Sequence, residues 1–150
     1  MNTTEILQHV HTVLLVDWPS RDVPESLARA GFTVFTKGGP AADDFWLCEW
    51  RDNQLAQQRT GCPPAHADLV YSFRPLAELA SVIQLAKTVD AHTVWTQSGL
   101  CSDGSKDPRG CWLSHHDRLE ACHLVQSAGL THVSQPYIAD VARQLVPVHQ

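Results

Sequence analysis

Clusters of basic residues are missing from this chain. It carries 11 Lys and Arg against 16 Asp and Glu, a formal net charge of −5 over 150 residues. General affinity for nucleic acid rests on grouped positive charge, so no nucleic-acid partner is expected. Long apolar runs are missing too. None approaches the roughly 20 residues needed to cross a bilayer, so no membrane partner is expected. Met1–Glu5 lacks the basic start of a signal peptide, and His9 and His11 break the apolar stretch that follows. The expected compartment is the cytoplasm. Five cysteines cannot all pair within one chain, and in a reducing compartment they are expected to be thiols. No His-Glu-x-x-His, no Gly-x-Ser-x-Gly elbow and no P-loop occurs. A nucleophile without its partners makes no mechanism, so the chain is expected not to be an enzyme.

What is present is a folded, soluble pattern. Hydrophobic residues make up 43% and charged residues 18% of the chain, which suits a globular protein. The length fits one domain over 1–150 with a full core of its own. Thr12-Val13-Leu14-Leu15-Val16-Asp17 is a near-continuous apolar run, as in a strand covered on both faces. Further strands are read at Phe32–Phe35, Ala67–Ser72, His92–Thr96 and Thr131–Ser134. Between them lie helical patterns at Val23–Ala30, Leu76–Val89 and His115–Ala128, and Ile138–Leu145 closes the chain before Pro147. Gly31 and Gly129 stand where helices end. Thr36 to Pro64 has no clear period: Lys37-Gly38-Gly39-Pro40 reads as a loop, and Phe45–Trp50 as a short strand or helix. Strands alternating with helices of this length predict an α/β, Rossmann-like, doubly wound fold. Its sheet is mostly parallel, of about five strands, with helices on both faces.

In such a sheet, ligands bind beyond the carboxyl ends of the strands. Four stretches fall there. Trp18, Pro19, Ser20 and Arg21 follow the first strand and lead into a helix, whose first amides suit an anion; Ser20 or Asp22 serves equally as a cap. Lys37 and Gly38 follow the second strand, where an NAD enzyme has an acid. A lysine there fits a phosphorylated ribose, or is simply a solvated turn residue. Phe73, Arg74 and Pro75 follow the third; Arg74 is a donor fork for phosphate or carboxylate, or pairs with a surface acid such as Glu78. Gln97, Ser98 and Gly99 follow Val94-Trp95-Thr96. Trp95 is expected in the core, and Gln97 faces a ligand amide or a loop backbone.

Phe73-Arg74-Pro75 and Val94-Trp95-Thr96-Gln97-Ser98-Gly99, at this spacing, resemble the small CoA-binding, Rossmann-type proteins related to the CoA-binding domain of the succinyl-CoA synthetase alpha chain. Val13-Leu14-Leu15-Val16, the helix ending at Gly31-Phe32, and Ala128-Gly129-Leu130 extend the resemblance over most of the chain. It implies non-catalytic binding of coenzyme A, acyl-CoA or a related nucleotide-like small molecule. The adenine and phosphates would lie near Trp18–Arg21 and Lys37, and the pantetheine arm near Arg74 and Gln97–Gly99. The chain departs from the family at Asp17, which stands where the first loop has glycine, and in the shortness of that loop. A carboxylate there is expected to repel a pyrophosphate.

Two other classes stay open. One is a Rossmann scaffold that has lost its ligand and acts as a protein-interaction module, with Trp46 and Trp50 as aromatic contacts. A homo-oligomer is compatible with either reading. The other is a metal or redox protein using Cys101, Cys111, His115, His116, Cys122 and His123, although the paired short spacings of zinc sites are missing.

Overall fold

The computed structural model describes residues 3–18, 20–37, 44–74, 76–96, 115–134 and 137–149. In chain order the elements are α1 (Thr3–Gln8), β1 (Thr12–Val16), α2 (Asp22–Arg29), β2 (Thr33–Lys37), β3 (Phe45–Arg51), β4 (Gln54–Arg59) and β5 (Leu69–Ser72). A 3-10 turn (Leu76–Glu78), α3 (Leu79–Thr88), β6 (Thr93–Thr96), α4 (His115–Ser127), β7 (Thr131–Val133) and α5 (Ile138–His149) complete them. Among the described residues the strands form one seven-stranded sheet in the order β4-β3-β2-β1-β5-β6-β7. Neighbours from β2 to β7 run parallel, whereas β3 is antiparallel to β2 and β4 to β3. The chain builds outward from β1 on one side, then returns to build from β5 on the other. The order therefore reverses between β1 and β5.

Alternation along each strand feeds two cores. Val13, Leu15, Leu69, Tyr71 and Trp95 face one side, where they pack with Leu7 of α1, Val23 and Leu27 of α2, and Ile138 of α5. Leu14, Val70 and Val94 face the other, against Leu79, Val82 and Ala86 of α3 and Val125 of α4. This two-sided burial is why the central strands have no polar face. Each fully buried Leu or Ile contributes about 1.5–3 kcal/mol. Gly31 and Gly129 do end α2 and α4, at φ 98° and 82°, the left-handed conformation in which glycine lacks a Cβ penalty. After α3 the same conformation is taken by Asp90, at φ 57°.

The structure corrects several expectations. The sheet has seven strands instead of about five, because the stretch without a period holds the β3–β4 hairpin. Asp52 and Asn53, at φ 51° and 60°, form its two-residue turn, with Arg51 opposite Gln54. Two positive φ values match the twist of the strands, and Asn and Asp tolerate them. Lys37 is the last residue of β2, not part of the loop. A 3-10 turn precedes α3 where one continuous helix is expected from the sequence. Pro147 does not stop α5, which runs to His149. α1 adds Ile6 and Leu7 to the core without a recognisable sequence period.

The amino ends of the strands are clasped by one carboxylate. Asp68 Oδ2 accepts the amides of His11 at 2.8 Å and Thr12 at 3.0 Å, and Oδ1 lies 2.8 Å from His66 Nε2. Its own amide donates to the Thr12 carbonyl and its carbonyl accepts from His92. Burial alone would raise its pKa, but the Thr12 and His11 amides and the His66 ring outweigh it, leaving it at about 2. Asp68→Ala is expected to cost roughly 1–3 kcal/mol in chemical denaturation at neutral pH, as the exposed His11 amide and the part-buried Thr12 amide lose a charged acceptor. The wild-type advantage is present above the ordinary carboxylate value of 3.8 and is lost as pH falls through about 2; an equal difference at both extremes would contradict it.

Candidate functional site at the strand switch point

The ladder between β1 and β5 continues one residue past the strands, because the Phe73 amide donates to the Val16 carbonyl at 3.1 Å. The carboxyl ends of these strands are thus held side by side, with Asp17 above β1 and Phe73-Arg74 above β5. Asp17 sits at φ 62°, a conformation that favours glycine and is tolerated by Asp. Its Oδ1 accepts the Trp18 amide at 2.9 Å, and its Oδ2 accepts Arg74 Nη1 at 3.0 Å. The other edge of the guanidinium donates to Glu78 Oε2 from Nε at 3.1 Å and Nη2 at 2.6 Å. The buried Ser72 hydroxyl accepts the Arg74 amide at 3.2 Å and so sets where Arg74 leaves the strand. Glu78, then Asp17, raise the Arg74 pKa above its ordinary value. The three charged side chains are each 40–46% exposed, within reach of solvent and of a ligand.

Around this cluster the structure distributes the other expected site residues unevenly. Trp18 and Phe73 are partly buried against the core on the α2–α5 side. Ser20 lies behind them, its hydroxyl accepting the Asp22 amide at 3.3 Å and standing 3.5 Å from the Tyr137 hydroxyl. The cap expected at Ser20 or Asp22 is not the one α2 uses: Arg21 stands at the cap position, with no side-chain cap hydrogen bond. α2 is locked to α5 by Arg143, which donates to Asp22 and Ser26 and also binds Asp140. Arg21 turns away along α2 toward Glu25, at 3.8 Å, with 71% of its side chain exposed. Lys37 ends β2 beside Val16 of β1, with its ammonium 6.0 Å from the Phe45 ring centre. Pro19, Gly38, Pro75, Gln97, Ser98 and Gly99 lie outside the described residues.

Trp95 is wholly buried, as its sequence context implies, and its indole N–H has no hydrogen-bond partner among the described residues. Trp46 and Trp50 are half-covered: Trp46 donates to Asp44, and the Arg29 guanidinium lies 5.0 Å over the Trp50 ring. Cys101 and Cys111 fall outside the described residues, and Cys48, Cys62 and Cys122 are unpaired thiols. His116, Asp117 and Glu120 bring ligand-type atoms within 4.8 Å of one another on α4. That trio contains no cysteine and shares only His116 with the Cys/His set expected from sequence.

Two features of the site escape a reading of the sequence, the first being the pairing of Asp17 with Arg74. Glu78 is visible as the i+4 acid after Arg74, but Asp17 lies 57 residues away, and only the β1–β5 pairing joins them. The second is His132, whose Nε2 is 2.7 Å from Thr96 Oγ1 at the carboxyl end of β6. Burial, then the charge of Arg118, lowers its pKa to about 4.

No protein-family model matches the chain, and no curated protein matches it. Among solved structures, cell-free ID.343 from Thermus thermophilus is similar over 97% of this chain and 99% of its own, with a TM-score of 0.58 and 18% sequence identity. That likeness shows the fold, a Rossmann-like α/β architecture, and the fold alone.

The His132 ring has a pH consequence. Above 6.5 both folded and unfolded chains hold it neutral. As pH drops toward about 4 the unfolded chain takes up the proton first, so stability falls over that window. In denaturation midpoints measured from neutral pH downward, His132→Gln is expected to flatten this part of the profile; an unchanged slope would assign it to other groups.

Proposed function

We propose that the protein binds a CoA-like or other nucleotide-derived small molecule at the carboxyl ends of its parallel strands, without chemistry of its own. The observation that carries this reading is the meeting of Asp17, Trp18, Phe73 and Arg74 where the strand order reverses between β1 and β5. Open α/β sheets take their ligands at that point. Arg74 supplies a donor fork, Trp18 and Phe73 supply apolar walls, and Lys37 adds a cation one strand away. In this reading the phosphates approach from the Trp18–Arg21 and Lys37-Gly38 side, and the pantetheine arm runs from Phe73-Arg74-Pro75 toward Gln97-Ser98-Gly99, as the resemblance to CoA-binding proteins implies.

One observation favours a second reading. Two carboxylates, Asp17 and Glu78, already share the Arg74 guanidinium, and a site of negative balance repels a diphosphate. On this reading the fold survives as a protein-interaction scaffold. Thermal unfolding with CoA, acetyl-CoA, NADP and ATP separates the two. A ligand at about 100 times its Kd adds roughly 2.7 kcal/mol of stability, and Arg74→Ala is expected to abolish the shift. Absence of a shift with all four compounds would overturn the ligand reading, and a defined homo-oligomer or partner complex would then support the scaffold.

A further inference from the structure

We propose that Asp17 is the specificity-determining residue of the switch-point site: a built-in anion that occupies the place a ligand phosphate would take and sets a penalty on phosphate-bearing ligands. The inference deepens the ligand site proposed above and rests on that reading. An anion at the first turn after β1 needs a backbone amide on one side and a cation on the other. Both are present, and one carboxylate takes both: Oδ1 holds the Trp18 amide at 2.9 Å and Oδ2 holds Arg74 Nη1 at 3.0 Å. The remaining edge of Arg74 is taken by Glu78. A phosphate entering here has to displace Asp17 and still lie beside two carboxylates.

The displacement is conformationally open. The Asp17 side chain is 46% exposed, so rotation out toward solvent breaks its two hydrogen bonds and little packing. Its backbone, at φ 62°, is the one that glycine would adopt most easily. The turn thus has the shape that lets a ligand approach, while the side chain fills it.

The test uses the full chain with CoA and ADP as probes, in calorimetric titrations of wild type, Asp17→Asn and Asp17→Gly. Asparagine tolerates positive φ and keeps an oxygen for the Trp18 amide while losing the charge. Glycine relieves the backbone as well, and serves if the first variant folds poorly. Removing one charge-assisted contact that competes with the ligand is expected to tighten both probes by about tenfold. Tighter binding by the variants supports the proposal whether or not wild type binds. If wild type is silent while a variant binds, the role of Asp17 stands and the CoA reading of the native protein falls. If wild type binds and the variants bind no tighter, Asp17 is not the determinant and the ligand site stands. If nothing binds to any of the three, the proposal is overturned, because emptying the two donors has uncovered no anion site.

Discussion

β1 is enclosed on all sides. It has β2 and β5 as hydrogen-bonded neighbours, helices α1, α2 and α5 over one face and α3 and α4 over the other. A strand so placed cannot carry a polar side chain in its middle, because a buried polar group without a partner is costly. Val13, Leu14 and Leu15 obey that constraint with no exposed surface. Polar chemistry is therefore driven to the two ends of the strand. At the amino end Asp68 takes up the amides of His11 and Thr12, and the result is structural. At the carboxyl end Asp17 meets Arg74, and the result faces solvent. The same logic places Lys37 at the end of β2 and Thr96 with His132 at the end of β6.

The two ends differ in what satisfies their carboxylates. Asp68 is held by backbone amides of a paired strand, so its geometry is tied to the fold. Asp17 is held by one amide and by a half-exposed guanidinium that a second acid also holds. An exposed ion pair is weakly stabilising in itself, and a group of this kind is free to exchange partners. The fold is shared with a Thermus thermophilus protein at 18% identity, and at that distance the scaffold says nothing about the chemistry at the strand ends.

The legibility of the sequence follows the same division. The parallel strands can be read directly, since burial on both faces leaves uninterrupted apolar runs such as Val13–Val16 and Leu69–Ser72. The β3–β4 hairpin cannot. β4 is an edge strand built from Gln54, Gln57, Gln58 and Arg59, largely exposed, and it has no hydrophobic period. Its one local sign is the Asp52-Asn53 pair, whose value lies in two positive φ angles. Six-residue α1 is too short to show a period, and its order comes from Ile6 and Leu7 entering the core. At the site, Arg74 and its i+4 acid Glu78 are legible from spacing. The third partner is not, because Asp17 and Arg74 are joined by the β1–β5 register and by nothing local.

Asp17 illustrates how far the charge of the turn after β1 can be altered without altering the fold. The turn after β1 needs a left-handed residue to bring the chain from the strand toward α2. Glycine meets that need and leaves the space above the turn empty; aspartate meets it at modest cost and fills the space with charge. The backbone path, the Phe73–Val16 hydrogen bond and the placement of Arg74 are compatible with either residue, since none depends on the Asp17 carboxylate except the final orientation of the guanidinium. Fold and local charge are thus encoded in separate groups at this point of the chain. The apolar middle of β1 enforces the first, and one side chain at its end sets the second.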